Sequence, residues 1–367
     1  MVHNFPSADE ASGRVGAANS PFAPIRGVEN EREPNSPMTL AAVVVTYNRL
    51  EQIKRTLHRL LNEPCDRVFV IDNGSTDGTK DWLSTLDDSR VRVIFAPGNL
   101  GGAGGFELGL RKAVEEDDPD WIVIMDDDAR PKPGCFERFR KGEMNGWGAV
   151  SAAVYLKDGR ICEMNRPTIN PFWHLPTFFR TMGGTLVGRS RGGFHIGDSA
   201  YSSDPCEIDA TSFVGLFIPR NTIRQVGYPD GSLFIYGDDV LYTLGLRKAG
   251  LKIGFVPELE FEHEFNTPND GKASIYNPIW KAYYTARNGL LVYRFAAGML
   301  FWPVLLLILT KWLSAGRHYG DARRAYYKML WHGVRDGIIG KRSRPHAEVT
   351  MLAQDRASSP AFGQPAE

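Results

Sequence analysis

Between Leu40 and Met125 the chain repeats one pattern: a short apolar run, a cluster of small and polar residues, then a segment with helical spacing. Ala41 to Val45 is a β-branched run suited to a strand buried on both faces. Val68 to Ile71, Val91 to Phe95 and Trp121 to Met125 repeat that signal. Between them, Leu50, Ile53, Leu57, Leu60 and Leu61 fall on one helical face, with Asn48 placed to cap it. Thr79 to Leu86 and Phe106 to Glu115 read as two further helices. Strand–helix alternation predicts an α/β fold with a parallel sheet and right-handed crossovers. Ligands of such sheets gather beyond the carboxyl ends of the strands. The residues that follow each strand therefore define the expected site.

Those residues are rich in chemistry. Thr46-Tyr47-Asn48-Arg49 follows the first run, and Asp72-Asn73-Gly74-Ser75-Thr76-Asp77-Gly78-Thr79 the second. The third leads into Asn99-Leu100-Gly101-Gly102-Ala103-Gly104-Gly105, the fourth into Asp126-Asp127-Asp128. Three adjacent carboxylates repel one another, so their placement at the end of an apolar run calls for a cation. Asp126 and Asp128, on alternate residues of an extended segment, point the same way and suit Mg²⁺ or Mn²⁺, hard ions that bind substrate phosphates. A solvated turn or an acidic helix N-terminus explains an isolated triplet as well. The glycines lie where a phosphate-binding turn would, but their spacing breaks the dinucleotide fingerprint, with Glu107 where a small residue belongs. A nicotinamide oxidoreductase would also leave the triplet unexplained.

Taken together, these four groups resemble the family 2 glycosyltransferases, whose nucleotide-binding half is the GT-A fold, a Rossmann-like, mostly parallel sheet. The glycine turn followed by the triple aspartate is most similar to bacterial galactofuranosyltransferases and rhamnosyltransferases, over roughly Leu40 to Arg294. The resemblance implies that Thr46, Arg49 and Asp72 contact the nucleoside, that Asn99 with Gly101 and Gly102 holds the nucleotide sugar, and that Asp127 touches ribose or sugar. Asp126 and Asp128 would ligate the metal. For Thr46 and Asp72, capping and turn chemistry is an equal explanation.

Further along, Leu233-Phe234-Ile235-Tyr236-Gly237-Asp238-Asp239 precedes a helical segment. The resemblance makes this pair the carrier of the catalytic base, Asp239, with Asp238 orienting the acceptor. Direct, inverting displacement needs such a carboxylate within hydrogen-bond reach of the attacking hydroxyl. His263, 24 residues after Asp239 at the end of a strand-like run from Ile253 to Phe261, matches the family's third metal ligand. Tyr283-Tyr284-Thr285-Ala286-Arg287-Asn288 resembles another recurring stretch, whose Arg and Asn lie near the site or hold the helical tail. The implied activity is inverting, metal-dependent transfer onto a lipid-linked cell-wall or surface glycan. UDP-galactofuranose is the favoured donor and dTDP-rhamnose the alternative. A non-catalytic scaffold that binds nucleotide sugars is the reading from another class. No Q-x-x-R-W follows the acidic sites, so a processive synthase is disfavoured.

Composition limits the partners. Lys plus Arg equal Asp plus Glu at 43 each, which gives no reason to expect nucleic acid. Nine Lys or Arg against two acids between Lys311 and Pro345 make that stretch +7. It follows Phe295 to Thr310, sixteen uncharged residues, too few for a spanning helix of about 20. A helix lying in the membrane interface fits, and the polyprenol-linked acceptor that the resemblance implies would put it on the inner face; internal packing or a homo-oligomer contact is the competing reading. Four dispersed cysteines without a CxxC pair suit a reducing cytoplasm. The expected division is a disordered leader (1–38), a GT-A domain (39–275, its nucleotide half 39–130 and acceptor half 131–275), a helical region (276–341) and a disordered tail (342–367).

Overall fold

The computed structural model describes residues 37–186, 193–264 and 275–354. Residues 1–36 and 355–367, where most of the expected leader and half of the expected tail fall, lie outside the described residues. The first strands are β1 (Leu40–Thr46), β2 (Arg67–Asp72), β3 (Val91–Phe95) and β4 (Trp121–Asp126), and helices α1 (Leu50–Leu61), α2 (Thr79–Leu83) and α3 (Gly101–Glu116) connect them. They pair in parallel in the order β3-β2-β1-β4. The register sets Thr46 beside Asp72 and Val45 beside Asp126, so three strands end level with one another.

Beyond β4 come β5 (Ala129–Pro131), α4 (Cys135–Lys141), β6 (Ala149–Leu156), α5 (Leu175–Leu186), β7 (Cys206–Ile208), β8 (Leu216–Pro219), α6 (Arg220–Val226), α7 (Asp238–Lys248) and β9 (Ile253–His263). The sheet continues β4-β8-β6-β9-β5, with β7 also on β9. This half is mixed: β8 is antiparallel to β4 and β6, β5 and β7 are antiparallel to β9, and β6 with β9 is parallel. The pairing of Ala129 with His263 lays the end of β9 against the turn that carries Asp127 and Asp128.

Local structure departs from expectation in three places. Asn48 does not cap α1. It adopts a left-handed φ of 53° and its Oδ1 accepts from Thr76 N at 2.7 Å, while Asp77 Oδ2 accepts from Leu50 N at 3.2 Å across the fold. The glycine run is not a free turn, because α3 begins at Gly101. A Cβ on Gly105 would lie 2.5 Å from Val45 Cγ1, and one on Gly109 2.4 Å from Val43 Cγ1. These glycines let α3 lie directly on β1. Gly109→Ala should therefore destabilise the protein by about 1–2 kcal/mol despite alanine's better helix propensity, since a β-branched neighbour has no rotamer to retreat to. Urea unfolding measures this, and an unchanged or raised midpoint would contradict the packing argument.

The third departure is in the C-terminal region, built from α8 (Lys281–Ala297), α9 (Phe301–Ala315), α10 (Arg323–Ile339) and α11 (His346–Gln354). Helix α11 stands where a disordered tail was expected. It is held because Val349 is buried and the His346 ring stacks on Phe234 with centroids 4.0 Å apart. Asp336, at the centre of this layer, accepts from Tyr283 Oη at 2.8 Å and Arg344 Nε at 2.7 Å. Helix α9 is different: Trp302, Leu306 and Leu307 are each about two-thirds exposed.

Candidate active site

The carboxyl ends of β1, β2 and β4 converge as the alternation requires. Thr46 O accepts from Asn73 N at 2.9 Å, and Thr46 Oγ1 donates to Asp127 Oδ2 at 2.7 Å. Arg49, at the start of α1, reaches both Asp127 and Asp128. Thr56 Oγ1 donates to Asp127 O at 2.6 Å, which fixes the β4–β5 turn from below. Thr46 and Asp127 thus face each other and are buried. Asp72 is also buried: Oδ1 accepts from Ser75 N at 3.1 Å, whereas Oδ2 has no hydrogen-bond partner among the described residues. A buried carboxylate oxygen is costly without a donor, so Asp72 Oδ2 suits a hydroxyl or amide N–H from a bound nucleoside.

The glycine turn is shaped by two asparagines. Asn99 Oδ1 accepts from Gly101 N at 2.8 Å. Asn73, which sequence reasoning passed over, accepts from Leu100 N at 3.1 Å and donates to Gly101 O at 2.8 Å. Gly101 has φ +72°, and a Cβ there would lie 2.0 Å from Phe234 O. Its conformation and contact account for the glycine without a ligand. Gly102 borders open space.

Asp126 is the electrostatic centre. Burial first, then Asp128, pushes its carboxyl up to about 6; Asp239 adds to the push, and His263 and Arg49 oppose it. Asp127 is pushed up to about 7, mainly by burial. Asp128 goes the other way: burial works against it, but hydrogen bonds and charge from His263 and Arg49 hold it below its ordinary value. His263 Nε2 lies 3.2 Å from Asp128 Oδ1, and this contact raises the imidazole to about 10 against the effect of burial. Three carboxylates of the turn, one imidazole and Asp239 therefore share one electrostatic neighbourhood.

Asp238 and Asp239 open α7 after Gly237, whose φ is +78°. Burial and then Asp239 hold Asp238 well above the usual carboxyl range, and burial raises Asp239 to about 6. The preceding loop is clamped by α8. Asn288 Nδ2 faces the carbonyls of Leu233, Ile235 and Tyr236 at 3.0, 2.8 and 2.8 Å. Fully buried Arg287 donates to Leu233 O at 2.8 Å, Arg342 O at 2.7 Å and Asn288 Oδ1 at 2.7 Å. Phe234 and Tyr236 take positive φ values of 65° and 70° inside this clamp. Such backbone costs about 1–3 kcal/mol per residue and persists only where its surroundings over-determine it. Arg287 and Asn288 hold the loop next to the site, as one of the two roles implied by the resemblance has it.

His263 has one partner that no periodicity announces. Its Nδ1 lies 2.8 Å from Asn165 Oδ1, and Asn165 Nδ2 donates to Ser212 Oγ at 2.8 Å. Asn165 sits in a single 3₁₀ turn, Glu163–Asn165, and is buried. Among the described residues, no three His, Cys, Asp or Glu side chains form a preset coordination sphere. The donor set still fits a divalent ion: two cis ligands at about 2.1 Å from one ion lie about 3.0 Å apart, close to the 3.2 Å between His263 Nε2 and Asp128 Oδ1.

The chain matches the family model "Glycosyl transferase family 2" over residues 41–187, which takes in β1 to β4 and every group at their carboxyl ends. It is 26% identical to Galactofuranosyltransferase GlfT1 of Mycobacterium tuberculosis over 322 residues, covering 83% of this chain and 95% of that protein. The corresponding protein of Mycolicibacterium smegmatis is 26% identical over 321 residues, 83% of this chain and 97% of that one. N-acetylglucosaminyl-diphospho-decaprenol L-rhamnosyltransferase of Mycobacterium tuberculosis is 25% identical over 61% of this chain and 75% of its own length. Residues 41–187 of this chain thus form a glycosyl transferase family 2 domain, and a helical region follows towards the C-terminus.

Proposed function

We propose that the protein is an inverting, metal-dependent galactofuranosyltransferase that acts on a lipid-linked glycan. The observation that carries this reading is the convergence on Asp126 of Asp128, His263 and Asp239, groups drawn from three separate segments. Asp126, Asp128 and His263 would hold Mn²⁺ or Mg²⁺. Bound there, the ion supplies charge to the diphosphate as it leaves. Asp72 Oδ2 receives the nucleoside, and Arg49, tied to Asp127 and Asp128, keeps the turn in place beneath the donor. Asp239 takes the proton of the acceptor hydroxyl as that oxygen attacks the anomeric carbon from the face opposite the diphosphate. Asp238, whose carboxyl is pushed well above its ordinary range by burial and by Asp239, hydrogen-bonds and orients the acceptor.

The donor preference for UDP-galactofuranose rests on the relatives' names and coverage, and dTDP-rhamnose is the second reading because a rhamnosyltransferase is among them. Incubation with a panel of sugar nucleotides, with and without Mn²⁺, tests the proposal. Metal-dependent turnover of UDP-galactofuranose with inversion at the anomeric carbon is expected. Turnover of dTDP-rhamnose alone would move the assignment to the second reading. Binding without turnover of any donor, acceptor present, would favour the scaffold.

The acceptor's lipid fits the exposed face of α9. The most apolar window in 281–339 has a mean hydropathy of 1.9 with only 28% of it buried, too little for a core helix. Trp302, Leu306 and Leu307 of α9 are exposed, and exposed Lys311, Arg317, Arg323 and Arg324 follow them in sequence, the composition of a helix resting on an anionic interface. Leu306→Glu with Leu307→Glu should lower partition onto phosphatidylglycerol vesicles by about 10-fold or more, given roughly 1.5–3 kcal/mol lost per apolar side chain withdrawn from lipid. Co-sedimentation reads the effect, and equal partition of variant and parent would remove α9 from the contact.

A further inference from the structure

The geometry around Asn165 points to a positioning residue: its side-chain oxygen holds a proton of His263 on Nδ1, so that Nε2, which pairs with Asp128 in the metal-free protein, is the nitrogen left to give its lone pair to a divalent ion. The inference rests on the proposed metal reading and deepens it. Asn165 and Ser212 lie outside the acidic cluster, in segments 98 and 51 residues from His263 in sequence.

Neutral imidazole carries one proton on two nitrogens, and the nitrogen that keeps it is chosen by the hydrogen bond offered to its partner. Asn165 Oδ1 lies 2.8 Å from His263 Nδ1. The same oxygen receives the thiol of buried Cys162 at 3.0 Å. The other end of the amide, Nδ2, is committed to Ser212 Oγ at 2.8 Å. The amide therefore presents an acceptor to the ring and places its own donors elsewhere. Nδ1 keeps its proton, so the proton given up when an ion binds is the one on Nε2, the nitrogen 3.2 Å from Asp128 Oδ1. Exchanging the two ends of the amide would set N–H donors against Nδ1, fix the opposite tautomer and close Nε2 to an ion.

Asn165 is held by backbone as well as side-chain hydrogen bonds. Its N–H donates to Cys162 O at 3.0 Å in the turn, and only 5% of the residue is exposed. The ring is carried by the last residue of β9, which pairs with Ala129 of β5. Shape alone does not require an amide here, because leucine has the same four side-chain heavy atoms branched at Cγ. A leucine would leave Nδ1–H without its acceptor and free the imidazole to rotate or to take either tautomer. Partners of this kind typically contribute 10- to 100-fold to metal affinity.

The test uses the full chain titrated with Mn²⁺ alone, followed by electron paramagnetic resonance of the free ion. Asn165→Leu should weaken Mn²⁺ binding by about 10- to 100-fold, whereas Asn165→Asp, which keeps the acceptor, should stay within about 3-fold of the parent or bind more tightly. Long-range ¹H–¹⁵N correlation of ¹⁵N-histidine protein saturated with diamagnetic Mg²⁺ should show His263 protonated on Nδ1 in the parent and a mixed tautomer in Asn165→Leu. A merely structural role would not move that signal. A folded Asn165→Leu protein with parental Mn²⁺ affinity, or an Mg²⁺-saturated parent whose ring is protonated on Nε2, would overturn the inference. His263→Ala separates the two levels: if it abolishes tight Mn²⁺ binding while Asn165→Leu does not, only the role of Asn165 fails. If His263→Ala also binds like the parent, the metal reading fails with it.

Discussion

Asp239→Asn should bind donor and metal within about 2-fold of the parent and lose turnover by about 10²- to 10⁴-fold, the range that a positioned general base contributes. The substitution keeps shape and removes only the capacity to take a proton. Two observations single out Asp239 over its neighbour. Asp238 is buried, whereas Asp239 is only half-buried and so within reach of an acceptor. Asp239 Oδ1 accepts from Val240 N at 2.7 Å, which fixes the carboxylate at the first turn of α7. Calorimetry with UDP and Mn²⁺ together with initial rates separates binding from chemistry. A loss of donor affinity equal to the loss of rate would place Asp239 in binding instead.

Asp128→Ala should have the opposite signature: Mn²⁺-dependent donor binding lowered by at least about 100-fold, beyond what loss of a metal ligand's partner alone costs, with turnover falling in parallel. Asp128 is where the site's charges meet. It pairs with Arg49 and with His263, whose side chain is 5% exposed. Removing it leaves a buried imidazolium without its counter-charge, so the variant's thermal midpoint belongs beside the titration. Asp128→Asn, which keeps volume and one oxygen, controls for packing and should fall between parent and alanine. Equal donor affinity in parent and Asp128→Ala would count against a metal at this turn.

The parallel half of the fold was legible because each signal is local. A β-branched run such as Ala41 to Val45 codes for a buried strand whatever lies elsewhere, and topology then delivers Thr46, Asp72 and Asp126 to one edge. The glycine run was read as a turn because glycine is a poor helix former. Only the contact of α3 with Val43 and Val45 shows why Gly105 and Gly109 are needed inside a helix. The antiparallel strands β7 and β8 are three and four residues long, too short for periodicity to register. Asp239 and His263 were reached by resemblance, since 111 residues separate Asp128 from Asp239 and 135 separate it from His263. Asn165 lay beyond reach altogether: its meaning comes from partners on β9 and in the loop before β8.

The claim on which everything rests is that carboxylates and one imidazole from distant segments hold a single divalent ion against a nucleoside diphosphate. A crystal structure of the protein with UDP and Mn²⁺, with the ion located by anomalous scattering, tests it most directly. The account predicts one Mn²⁺ within about 2.0–2.3 Å of oxygens of Asp126 or Asp128 and of His263 Nε2, bridging to the diphosphate, with Asp72 on the nucleoside. An ion held elsewhere, or a diphosphate bound with His263 and the aspartates turned away from it, would contradict it.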